Sequence, residues 1–138
     1  MKEDLGYDLI KVLDNIGRHQ LMLKHYVEAE TAYQEELSHL NRLQNISEIR
    51  RGKSKASTCH QLGSVAETQE QWQQAREYFL KALEIFVDFN SEYELGITLH
   101  SLARLWQASR DARLPAAVAA VLGISSQEAE EVLKNSTD

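Results

Sequence analysis

Apolar positions along this chain recur at steps of three and four residues, and no stretch alternates with a period of two. Leu9, Val12, Leu13 and Ile16 form such a stripe, which predicts the buried face of a helix from about Tyr7 to Leu23. A second helix is expected from about Val27 to Asn45, and Ser47-Glu48 has the form of a restart with Ser47 as N-cap. The stretch Arg50-Arg51-Gly52-Lys53-Ser54-Lys55 reads as the least regular part of the core. Further helices are expected from about Ala56 to Gln69, Gln73 to Phe89 and Glu92 to Ser109. Ser91 and Glu94 have the spacing of a capping box. Beyond Arg110 the pattern shortens. Pro115 fits only the first turn of a helix, so one should run from Leu114 to Leu122 with Gly123 as its stop. Ser125-Ser126-Gln127-Glu128 is a second capping-box sequence, opening a last helix to about Lys134. The fold class this predicts is all-α.

The pattern also repeats. Tyr26, Ala29, Tyr33 and Leu37 return 46 residues later as Trp72, Ala75, Phe79 and Leu83. Ile16-Gly17 and Leu62-Gly63 precede the two sets at the same distance, and Thr58-Cys59-His60-Gln61-Leu62-Gly63 is echoed at a shift of 40 by Thr98-Leu99-His100-Ser101-Leu102-Ala103. Periods of this size indicate stacked helix pairs, because one pair alone cannot bury its apolar face.

With an apolar residue and Gly in the first helix, an aromatic at the turn, then Ala, an aromatic and a small residue in the second, the repeat resembles the tetratricopeptide repeat (TPR). Residues 60–83 match it closely. Residues 14–37 match except that Glu36 stands where Ala82 sits in the next copy, and residues 97–123 match only in their first half. Spacings of 40 and 46 exceed the usual period of about 34 residues, which implies a longer-period type with extended helices or an insertion. The resemblance implies a superhelix of about three helix pairs over residues 1–110. Residues 111–138 would then be a degenerate half-repeat and C-terminal cap.

Composition narrows the function. A formal net charge of −6 disfavours nucleic acid and membrane surfaces, and no apolar run approaches the roughly 20 residues of a membrane span. The single Cys59 fits a reducing compartment and, flanked by small residues, an inert buried thiol. A cytoplasmic location is expected. No phosphate-cradling glycine loop, nucleophile elbow or H-E-x-x-H occurs. His60 and His100 occupy equivalent repeat positions but have no metal-ligand spacing around them. No enzyme activity, cofactor or metal is therefore expected. Residues 118–132 are similar to a bacterial helix-turn-helix, yet Glu128, Glu130 and Glu131 would press carboxylates towards phosphates. A capping hairpin is the better reading.

In TPR proteins the first helix of each pair lines a concave groove. The register set by Gly17, Gly63 and Ala103 places Lys11, Asp14, Asn15 and Arg18 there in the first copy. Ser57, His60, Gln61 and Ser64 follow in the second, and Ile97, His100, Ser101 and Arg104 in the third. The Lys, Asn and Arg set with which some members grip a C-terminal carboxylate is missing, since Asp14, Gln61, Ile97 and Ser101 occupy four of its five places. The resemblance implies a protein-protein interaction module or scaffold that holds a protein or peptide partner in this groove. The alternatives are an oligomerisation fragment of a larger signalling protein, or a regulator with a DNA-binding tail. Leu5, Tyr7, Leu9 and Ile10 suggest an apolar N-terminal end and hence a homodimer through the N-terminal helices, or in the native context a continuation of the array upstream.

Overall fold

The computed structural model describes residues 2–44 and 46–137, with side chains from Gly6 onward. Seven helices and no strand occur among these residues: α1 (Lys2–Met22), α2 (Tyr26–Arg42), α3 (Glu48–Thr68), α4 (Trp72–Asp88), α5 (Glu92–Ser109), α6 (Leu114–Leu122) and α7 (Ser126–Asn135). None is long and apolar enough to cross a membrane. From α1 to α5 each helix packs on the next in sequence, while α6 returns to α4 and α7 to α5.

The extra residues of the 46-residue period prove to be helix. α3 begins at Glu48, so the basic stretch expected to be irregular is its first two turns. Ser47 Oγ accepts from Arg50 N at 3.1 Å. The Arg51 guanidinium lies on the carbonyls of Leu40 and Leu43, 2.5 Å from the latter. It thereby satisfies acceptors that the end of α2 leaves open. α1 gains the corresponding turns from Lys2. The period reaches into these added turns as well: Gly6 lies against Leu43 and Gly52 against Phe89, 46 residues apart in both members. Lys24, Glu70 and Asn90 adopt left-handed backbone at φ 62°, 58° and 51°. Each sits second in a three-residue turn that reverses the chain.

The expected cap at Ser125 forms, with both bonds of its capping box at 3.1 Å. Gly123 ends α6 at φ 70° and Pro115 is buried in its first turn. Ser91 does not cap by its side chain. Its ψ of 80°, against 148° and 158° at Ser47 and Ser125, follows directly on the left-handed Asn90.

The largest core cluster joins α3 to α7 around Phe79, Leu83, Leu102, Leu114, Val118 and Leu133. The two C-terminal helices are thus part of the main core. Smaller clusters join α2 to α3 at Ala29, Tyr33, Leu62 and Val65, and α3 to α4 at Ala56, Cys59, Ala82 and Phe86. The second aromatic of each copy, Tyr33 and Phe79, is fully buried. Each lies flat on a glycine of the preceding helix, where a Cβ would come within 2.6 Å of the ring.

The buried stripe expected on α1 is displaced. Ile10, Leu13 and Gly17 are buried, whereas Leu9, Val12 and Ile16 are 41 %, 51 % and 43 % exposed. α1 ends the stack and packs chiefly on α2, so one helix face cannot cover its whole apolar surface. Ile10 therefore does not belong to the exposed end, and the side chain of Leu5 lies outside the described residues.

Candidate functional site

Helices α1, α2 and α3 line an open cavity of about 390 Å³. α1 contributes Tyr7, Ile10, Lys11, Asp14, Asn15 and Arg18, which recur on one face at helical spacing. α3 contributes Ser54 from its added first turns together with Ser57 and Thr58, and α2 contributes Glu36. At the mouth, Lys11 and Arg50 lie over the Tyr7 ring at 5.0 and 4.4 Å. Arg18 Nε donates to Asp14 Oδ2 at 2.8 Å, and its Nη2 reaches the same oxygen.

Glu36 forms the floor. It is 2 % exposed. Its Oε1 accepts from Thr58 Oγ1 at 2.9 Å, a hydroxyl shared with Ser54 O at the same distance. Its Oε2 is buried with no hydrogen-bond partner among the described residues. Burial, and next the neighbouring Asp14 with which it can share a hydrogen bond, push its carboxyl up to about 8, outweighing Thr58 and Arg18. Two carboxyl groups this close do not both ionise readily. A proton on Glu36 therefore lets it donate to Asp14. Tyr33 shares this environment: its hydroxyl is buried with no hydrogen-bond partner among the described residues, and burial lifts its pKa to about 12.

A second, smaller hollow of about 140 Å³ lies between α3 and α5, lined by Ser57, His60, Phe86, Glu94, Ile97 and Thr98. Ser57 belongs to both hollows, so Lys11, Asp14, Asn15, Arg18, Ser57, His60 and Ile97 from the expected groove set lie along adjoining depressions. Gln61 and Ser64 are half-buried on α3 and line neither of these two. The remaining residues of α5 are committed within the chain. Ser101 is buried, and its Oγ lies 2.9 Å from His60 Nε2. His100 Nδ1 lies 2.6 Å from Ser136 O, tying α5 to the end of α7. Arg104 bonds both oxygens of Glu67 on α3 at 2.6 to 3.1 Å.

His60 stands 5.2 Å from the Phe79 ring centroid. Burial first, and then Arg104, hold its imidazole below the ordinary range, as suits a neutral hydrogen-bonding histidine. Among the described residues no group of His, Cys, Asp and Glu could hold a metal. Cys59 is buried, and burial pushes its thiol up, away from the thiolate that reactivity needs. The basic run of α3 divides: Arg51 serves the end of α2, and Arg50 flanks Tyr7.

The groove register omitted Tyr7, Ile10, Glu36, Ser54 and Thr58. Glu36 had a signal in the sequence, since it replaces the small residue that Ala82 supplies in the next copy. Tyr7, Ile10 and Ser54 enter because α1 and α3 run on past the repeat motif, and Thr58 enters because its hydroxyl turns to Glu36. No protein-family model, curated protein or solved structure matches this chain.

Proposed function

We propose that this chain is a TPR-like interaction module that holds a protein or peptide partner across α1, α3 and α5, with no catalytic role of its own. Seven of the twelve residues expected to face a groove line two hollows that share Ser57, and this observation carries the reading. A partner laid along them would meet Lys11, Arg18 and Asn15 at one end and His60 and Ile97 at the other. Acidic and amide groups suit that sequence of cations and hydrogen-bonding side chains. Immobilised wild-type chain should retain a partner from the source cell that a Lys11→Ala, Arg18→Ala double variant loses. Melting should change by only about 1 kcal/mol, because both cationic side chains are exposed. Equal retention by the double variant at unchanged melting would move the partner off this face.

A second reading concerns assembly, and the exposed row Leu9, Val12 and Ile16 favours it. With Met22, Leu23 and Val27, all at least half exposed, this row forms an apolar end that another surface could cover. Two-fold pairing of chains through α1 is the commonest closed solution. Light scattering at micromolar concentration should give twice the 15.7 kDa of one chain, falling to one on Val12→Glu with Ile16→Glu. A monomer before and after the substitutions would exclude this pairing.

A further inference from the structure

The α1–α3 cavity is lined by groups of both signs. Asp14 and Glu36 supply two carboxyl groups, and Lys11 and Arg18 supply two cations. Arg18 and Asp14 satisfy each other. That leaves Glu36, whose buried Oε2 has no donor among the described residues, and Lys11, which among those residues meets only the face of the Tyr7 ring.

We propose that this cavity binds a free α-amino acid as its zwitterion, with the ammonium on Glu36 beside Asp14 and the carboxylate on Lys11 and the neighbouring Asn15 and Ser57. A buried carboxyl with an open oxygen is a costly feature unless something donates to it. A proton shared with Asp14 fills that role in the chain alone, and a ligand ammonium would bring three N–H donors and a positive charge in its place. The carboxylate of the same molecule needs donors and a cation a few ångströms away, and Lys11 supplies the charge. An anion alone would meet Asp14 and Glu36, and an amine alone would leave Lys11 uncompensated. The volume is in the range of small-molecule sites, and Tyr7 and the buried Ile10 in its wall give an apolar border for the ligand side chain.

The charged groups acting on Glu36 are Asp14 and Arg18 from α1, with Tyr33 on its own helix, while α3 presents the hydroxyls of Ser54, Ser57 and Thr58 and Lys11 lines the same cavity. Ligand ammonium therefore displaces the Glu36 proton. Below about pH 8, where Glu36 is protonated, binding releases close to one proton, and affinity climbs by up to tenfold per pH unit until that release ends. The inference stands apart from partner capture on the same face, since either can fail alone.

The test is calorimetric titration of the full chain with the proteinogenic L-amino acids, one at a time. At least one should bind with millimolar or tighter affinity, with proton release at pH 6.5 read from buffers of different ionisation heat. Its decarboxylated amine and its deaminated acid should each bind at least tenfold more weakly. Glu36→Gln should abolish the proton release and weaken binding about tenfold or more, as should the exposed Lys11→Gln, whose folding is checked by melting. Failure of every amino acid to bind would overturn the proposal, as would tight binding of the amine or the acid alone, or binding without proton release.

Discussion

Gly63→Ala should destabilise the chain by about 1–3 kcal/mol although alanine is the better helix former. Alanine in a helix interior normally gains about 1 kcal/mol over glycine. Here the new Cβ would come within 2.6 Å of two carbons of the Phe79 ring. That ring is fully buried and packed in the main core, so it cannot swing away without opening contacts with its neighbours. Gly17 meets Tyr33 in the same way and should respond alike. Gly96 on α5 is the control: nothing lies within 4 Å of its added Cβ, so Gly96→Ala should stabilise by about 0.5–1 kcal/mol. Thermal or urea melts of the three variants decide the matter, and a stabilised Gly63→Ala would mean that the aromatic-on-glycine contact is not what sets the distance between α3 and α4.

Stability should fall between about pH 5 and pH 8 by an amount that Glu36→Gln removes. Burial pushes the folded carboxyl up to about 8, against an ordinary value of 4.5. Across that window the folded chain keeps a proton that the unfolded chain has released, so the stabilisation is complete below the lower value and is lost as pH rises through the upper one. The slope attributable to one such proton is on the order of 1 kcal/mol per pH unit. Glutamine has the shape of the protonated acid and can still donate to Asp14 and accept from Thr58, so the variant should match wild type near pH 5 and exceed it at pH 9. Parallel profiles for the two proteins in urea titrations from pH 5 to 9 would show that Glu36 does not hold a proton in the folded chain.

Local chemistry was sufficient for the helices themselves. The three–four apolar spacing, the Ser47 and Ser125 caps, Gly123 and Pro115 each act within a turn or two of their own position, so their outcome is written in neighbouring residues. The same holds for the repeat, because Gly17 with Tyr33 and Gly63 with Phe79 are one contact made twice.

What escaped local reading depended on neighbours distant in sequence. The segment Arg50–Lys55 carries no strong helical pattern, and it is helical because Arg51 closes the end of α2 and Gly52 admits Phe89. Leu9, Val12 and Ile16 have the spacing of a buried stripe, but burial requires a second element on that side, and the end helix of a stack has none. Ser91 was equipped to cap α5 by its residue type, and the left-handed turn at Asn90 set its backbone otherwise. The candidate site shows the division most plainly. The sequence by itself determined which residues line one face of α1 and that Glu36 breaks the repeat. Only the tertiary structure decided that α3 would close a cavity over that face, burying Glu36 with one oxygen on Thr58 and the other without a donor, because a carboxyl's charge state depends on how much water and which charges the fold leaves around it.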